Sequence, residues 1–397
     1  MFPPRFRLRC WTVLAWAGLA SFPVLASPQG HDSSPALTSA KPKGGAMSDR
    51  EQAGLRGPVK SCVAESIYPA AEDQQRSFTT TTEYGPDGRI LRTRQGQPGD
   101  QEWISTRTYD AQGRLLKQTS GGSAGPSLDQ TYSYDEAGRL VGIRYGDKTS
   151  VGVRFEYGDQ GRKTKVENFD PVPQRPNVAY GGYPWEGTDL PFGPLPGGGT
   201  LTTIYNEHDV AVEGQLRNAE GQLVNRIVLT FDVDGRPTSE KVIVEAPELL
   251  IPPQLPAEHN EAQKKALGAF IAGNLYSGEI SYSYDAQGRM AEKQKRRGVF
   301  GTETTRITYN EHGDKAEEHT TALMNPDLGR EYGLQENGTM IPVGAPKPAP
   351  PPMESETRYT YQYDNYGNWV EQSVSSRSNL NEPFRPSVTY RRTLTYY

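Results

Sequence analysis

The sequence predicts an all-β protein of tandem antiparallel β-hairpins forming one long curled sheet, with one short helix at about 257–272. Three observations predict it. The run Tyr109-Asp110-Ala111-Gln112-Gly113-Arg114-Leu115 returns at Tyr134–Leu140 and Tyr284–Met290, with relaxed copies at Tyr84, Phe231 and Tyr363. Turn glycines at Gly88, Gly113, Gly138 and Gly161 fall 25, 25 and 23 residues apart, and such periods mark a repeat architecture. Upstream of each turn, apolar and polar residues alternate, as in Val151, Val153, Phe155 and Tyr157, the pattern of strands with one buried and one wet face.

The repeated run reads as a hairpin turn. A type I turn favours Asp at its first position and Gly at its last, and Gly113 in a left-handed bulge places Tyr109 opposite Leu115 and Asp110 opposite Arg114. Simple alternation then assigns the Tyr/Leu pair to the buried face and the Asp/Arg pair to the wet one. Pro86 in the Tyr84 copy sits where a fixed φ is preferred.

At the start of the chain, Arg5, Arg7 and Arg9 precede an apolar run from Cys10 to Ala20, and Val24-Leu25-Ala26 offers a small-residue cleavage site. Residues 1–26 therefore read as an export signal. Removing them leaves 40 basic and 48 acidic residues, a net charge of −8, which argues against nucleic acid as a partner. It also leaves Cys62 as the single cysteine, so no intramolecular disulfide forms, and no integral membrane span remains. Residues 27–54 are rich in Ser, Pro, Gly and Lys and read as a disordered linker.

The repeat domain spans 55–397, beginning with a strand near Val59, with insertions at about 170–199, 246–276 and 324–353. Pro256 and the stripe Ala262, Ala266, Leu267, Phe270, Ile271 place the helix in the second insertion.

These residues resemble the YD-repeat, or Rhs-repeat, family: Tyr-Asp-x-x-Gly-Arg-Leu at 109–115 and 134–140, and Tyr-Asp-x-x-Gly-Arg-Met at 284–290. The resemblance implies a secreted or surface protein whose repeats form curled β-sheets, some members binding carbohydrate and others forming a shell around a polymorphic toxin. This chain departs from the shell-forming members in having few repeats and no evident autoproteolytic Asp-Pro motif.

Motifs for chemistry are weak. Gly121-Gly122-Ser123-Ala124-Gly125 matches a nucleophile elbow, but Pro126 and a further β pattern follow where a helix is required. Glu311, His312, Asp314, Glu317 and His319 lack a recognised metal-ligand spacing. Asp232-Val233-Asp234-Gly235 is a turn without the remaining calcium ligands. The expectation is an exported, non-enzymatic binding or scaffold protein without cofactor or metal, whose partner is a surface glycan or cell-surface protein. The alternatives are a truncated relative of a toxin shell, an outer-membrane β-barrel and an enzyme with a site built from the insertions. For the barrel, Arg391 and Arg392 count against it, because one of two neighbouring arginines must face lipid. For a glycan, Tyr180, Tyr183, Trp185 and Asp189 in the first insertion combine rings with a polar group. Rings that merely pin the loop to the sheet are the competing reading of the same four residues.

Overall fold

The computed structural model describes residues 7–9, 48–69, 77–97, 102–122, 127–146, 152–169, 199–250, 260–326, 330–335, 337, 339–345 and 348–397. The unit is the hairpin expected from the repeat. Gly113 donates its N–H to the Asp110 carbonyl and Asp110 donates to that of Arg114, while Gly113 adopts a φ of 79°. Tyr109 pairs with Leu115 across a bulge, and the same geometry recurs at Tyr134/Leu140, Tyr284/Met290, Tyr84/Ile90, Phe231/Pro237 and Tyr363/Trp369.

Twenty strands follow one another round the fold. The first ten are β1 (Val59–Ile67), β2 (Ser77–Tyr84), β3 (Ile90–Gly96), β4 (Trp103–Tyr109), β5 (Leu115–Gly122), β6 (Leu128–Tyr134), β7 (Leu140–Tyr145), β8 (Val153–Tyr157), β9 (Lys163–Asn168) and β10 (Thr200–Tyr205). The second ten are β11 (Ala211–Arg217), β12 (Leu223–Phe231), β13 (Pro237–Val244), β14 (Gly278–Tyr284), β15 (Met290–Arg297), β16 (Gly301–Tyr309), β17 (Lys315–Leu323), β18 (Met353–Tyr363), β19 (Trp369–Arg377) and β20 (Arg385–Tyr396).

The expected long open sheet is corrected here: β20 pairs antiparallel with β1, from Tyr396 opposite Val59 to Thr389 opposite Ile67, and the sheet becomes a closed barrel. Twist adds with each strand and a bulge at each turn sharpens it, so a meander of this length comes round on itself. Closure leaves no edge to protect.

Nine turns of the repeat type lie on one rim, because each joins an even-numbered strand to the next odd one. The tenth position on that rim is split. Tyr396 stands where Tyr109 stands in its own unit, Tyr397 donates its N–H to the Pro58 carbonyl, and Gly57 takes the turn glycine's φ at 76°. The closing unit is thus assembled from the last strand and the segment before the first.

All three insertions leave from the opposite rim, between β9 and β10, β13 and β14, and β17 and β18. The second holds helix α2 (Glu261–Ile271), preceded in the chain by the short α1 (Asp49–Gln52). The expected helix start near Ala257 moves to an Asn260 cap whose side chain receives the Gln263 N–H, and α2 runs on into a π-turn over Ala272–Tyr276. In the third, Glu331–Leu334 and Met340–Pro342 make a small sheet with Arg7–Arg9. The Phe270 and Tyr332 rings, with centroids 4.7 Å apart, join the second insertion to the third.

Inward and outward faces separate by register. One inward ladder runs Tyr361, Gln372, Tyr390, Ser66 and Phe78 across the closing seam, and another runs Ile143, Val153, Asn168, Leu201 and Leu216. Most of the buried side chains lie on these ladders or on rows in phase with them, Ile227, Val242 and Ile280 among them. The concentration of buried residues on this phase identifies the enclosed side of the wall. The outward rows carry ion pairs instead: Arg94–Glu83, Lys117–Asp129, Lys165–Glu156, Arg226–Glu213, Arg306–Glu292, Arg358–Glu317, Arg377–Glu356 and Arg391–Glu371.

Candidate functional site

The turn-bearing rim is held by a ladder that runs from unit to unit. Asp110 receives the Arg114 N–H at 2.8 Å and its Nε at 2.6 Å, the Arg114 guanidinium lies 4.9 Å from the Tyr134 ring, and Tyr134 Oη donates to the Leu115 carbonyl at 2.8 Å. The next unit repeats this, with Asp135, Arg139 and Tyr157, as do Asp232, Arg236, Tyr284 and Asp285, Arg289, Tyr309.

Here the expected separation of Tyr and Asp/Arg onto opposite faces is corrected. Tyr109 and Leu115 do share the inner face, but Asp110 and Arg114 lie beyond the strand ends, where alternation no longer applies, and the guanidinium folds over the next unit's ring. Each such contact is worth about 0.5–1 kcal/mol at an exposed site.

Electrostatics follow the geometry. Burial alone would raise the Asp110, Asp232 and Asp285 carboxyls, and the N–H and guanidinium of the following arginine outweigh it and hold them below the usual value. For Asp135 the Arg139 N–H is the main cause of the lowering. The ring hydroxyls move the other way: burial pushes Tyr84, Tyr284, Tyr363 and Tyr396 up to about 12. A group whose folded pKa is raised stabilises fully below its unfolded value and loses that contribution as pH rises through the folded one. Stability is therefore expected to fall between about pH 10 and pH 12, and tyrosinate absorbance should appear in step with unfolding. Tyrosines ionising near pH 10 while the fold persists would contradict this.

The ladder changes over one arc of the rim. Most units carry Arg at this position; the turn after β10 carries Val210, and three neighbouring units depart together, the turn after β16 with Asp314, the turn after β18 with Asn368 and the split unit with Pro58. Tyr363 Oη donates to Asp314 Oδ2 at 2.7 Å, accepts from Asn310 Nδ2 at 2.8 Å, and its ring stacks on His312 at 4.0 Å. Tyr396 Oη donates to Asp364 Oδ2, and its ring stacks on Tyr366 at 4.6 Å. Asn368, 2% exposed, receives the Arg56 N–H at 2.6 Å and donates to the Arg56 carbonyl at 3.0 Å. Tyr366 and Tyr397 remain about half exposed, at 50% and 54%.

Just inside this arc, Trp369 is the aromatic residue opposite Tyr363, where the closest copies of the repeat carry Leu115, Leu140 or Met290, and the Arg392 guanidinium lies 3.4 Å from its ring centroid. Burial lowers the Arg392 pKa, against the opposing influence of Cys62, Tyr84 and Asp314. Cys62 is a free, buried thiol raised by burial.

Of the residues singled out by sequence, Tyr180, Tyr183, Trp185 and Asp189 lie outside the described residues, as does Ser123. His312 sits in a turn and stacks on Tyr363, and Asp232-Val233-Asp234-Gly235 is a turn. Among the described residues no group of three His, Cys, Asp or Glu side chains could hold a metal ion. Sequence reasoning missed Tyr366, Asn368, Arg392 and Arg56. The available signal was departure from the repeat at the Arg position.

No curated protein sequence matches the chain. Among solved structures, a porin-like protein from Bacteroides uniformis shares 11% identity over 86% of this chain and 98% of that one, with a TM-score of 0.29. A chain of the TcdB2-TccC3-Cdc42 crystal structure shares 13% identity over 78% of this chain and 20% of that one, at a TM-score of 0.14. At these scores neither likeness carries an argument about function. The family model described as RHS Repeat matches residues 109–150, which include two full copies of the Tyr-Asp turn and the ladder contact between them. That match over residues 109–150 supports the resemblance of the repeated turns to the RHS-repeat, or YD-repeat, family.

Proposed function

We propose that the protein works outside the cytoplasm as a closed, water-facing repeat barrel that binds a partner at its rim and enclosed wall. The observation that carries this reading is the outward row of ion pairs. A barrel standing in a bilayer presents an apolar outer band about 25 Å tall, and each Arg or Lys facing lipid near the midplane costs about 2–4 kcal/mol. Here charged residues recur on the outward face round much of the ring, and the Arg391-Arg392 doublet divides, Arg391 outward on Glu371 at 2.9 Å and Arg392 inward over Trp369.

Binding suits the rim better than catalysis, because its carboxylates and hydroxyls are engaged with one another in the ladder. A 20-strand ring is also wider than the small barrels that side chains alone fill, so it encloses space for a guest. A surface glycan remains the partner that the Tyr180, Tyr183, Trp185 and Asp189 segment would suit.

A second reading, an outer-membrane barrel, is favoured by closure itself, the feature it requires. No helix among the described residues is long and apolar enough to cross a membrane, which says nothing of strands. Fractionation separates the two readings. The mature chain, cleaved after Ala26, is expected in the soluble envelope or extracellular fraction. Material that stays with membranes through salt and urea washes and leaves only in detergent would establish the barrel in the bilayer.

A further inference from the structure

We propose that Arg392, laid over Trp369 on the inner wall beneath the divergent arc, binds an anionic oxygen group, a carboxylate, sulfate or phosphate, on a ligand reaching it from the turn-bearing end. The inference rests on the water-facing reading above and gives that barrel a ligand chemistry.

Four observations carry it. Arg392 stands opposite Ala64 in the ladder with β1, on the enclosed face of the wall. Among the described residues its guanidinium meets the Trp369 ring and no carboxylate, whereas inward-facing Arg107 bonds Gln118 Oε1 at 3.1 Å and Asp49 Oδ2 at 3.3 Å. The nearby Asp314 is committed elsewhere, its Oδ2 taking the Tyr363 hydroxyl. Arg392 is nonetheless partly exposed, so solvent meets some of the side chain.

An inward cation without a counter-ion works against stability, since it loses hydration without gaining a partner. A guanidinium is the cation that best suits oxygen anions, because its planar fork grips two oxygens while an aromatic face supports it from behind. Trp369 supplies that face. Neighbouring departures point the same way. With Asp314 and Asn368 in place of arginine, the rim above loses the two guanidinium groups that would otherwise compete for an arriving anion.

The test uses the purified full-length protein at constant ionic strength, replacing chloride by sulfate, phosphate or acetate and following tryptophan fluorescence and calorimetric heat. Saturable binding is expected for the wild type, with a fluorescence change absent in Trp369→Phe. Acetate preferred over sulfate and phosphate would identify a carboxylate ligand, and the reverse order a sulfate or phosphate ester. Arg392→Gln is expected to weaken binding about tenfold or more, the loss typical of a charge-assisted pair. Its Tm should be unchanged or higher, because an uncompensated charge is removed; a purely structural arginine would lower it. Arg391→Gln, outward and paired, should bind as the wild type does. If Arg392→Gln fails to fold, Arg392→Lys carries the test, with affinity reduced by loss of the fork.

No saturable response in the wild type, or equal affinity in Arg392→Gln or Arg392→Lys, overturns the proposal. A protein that fractionates as soluble yet binds no anion sinks this inference alone and leaves the water-facing reading intact.

Discussion

Asn368→Ala should destabilise the barrel by about 2–4 kcal/mol, since removing this 2% exposed amide takes the side-chain partner from the Arg56 N–H and carbonyl and loosens the Tyr396 hydroxyl, each lost hydrogen bond worth about 0.5–1.5 kcal/mol. The lost bonds lie at the seam where β20 meets β1, so the loss is expected to couple to closure. Urea unfolding measures it. Asn218→Ala provides the contrast: this side chain also receives an N–H, from Gln222 at 2.8 Å, but it is in an exposed turn on the other rim. A loss no greater at Asn368 than at Asn218 would show that the clasp contributes little to the seam.

Gly113→Val should cost about 2–3 kcal/mol and Gly221→Val about 1–2 kcal/mol, the shared part being a branched side chain forced into the left-handed region. The two glycines have nearly the same backbone, φ 79° and 82°. They differ in what a side chain would meet. A Cβ on Gly113 would stand 2.0 Å from Arg89 Nη1, whereas on Gly221 nothing lies within 4 Å. Arg89 is long enough to swing away, but in doing so it leaves the Tyr109 ring, and that cation–π contact supplies the difference of about 0.5–1 kcal/mol. Thermal melts of the pair decide it. Equal losses would mean that the ladder adds nothing beyond turn geometry.

Much of the hairpin was legible because its chemistry is local. Asp110, Gly113 and the bulge fix which residue faces which, and Tyr109 opposite Leu115 follows without reference to the rest of the chain. Closure was not legible, since curl is the sum of small twists and the deciding contact joins Val59 to Tyr396. The turn at Asn206–Asp209 escaped notice because Asp209, at φ 58°, fills the slot that glycine holds elsewhere. Alternation misplaced Arg114 because a period-two rule holds inside strands and fails one residue past their ends. The rim arc was visible as letters, Asp314, Asn368 and Trp369 in place of the usual residues. Their meaning depended on the ring order, which brings three departures side by side. The first insertion's Tyr180, Tyr183, Trp185 and Asp189 lie outside the described residues, so the glycan reading there rests on composition.

The split closing unit also bears on assembly. β1 emerges early in synthesis and its partner β20 only with the last residues, so until synthesis is finished the chain carries a free strand edge awaiting a sequence more than three hundred positions away. Any β20 can satisfy any β1, because the two surfaces are the same on every copy. A molecule that pairs with itself ends as a discrete ring. One that lends its 12-residue β20 to a neighbour leaves its own β1 unsatisfied and passes the vacancy on, a strand exchange that need not terminate. Dilution favours the ring, because self-pairing does not depend on concentration, and crowding favours the chain of molecules. The clasp of Asn368 on Arg56 tilts this competition toward self-closure by holding the segment before β1 beside the unit that precedes β20.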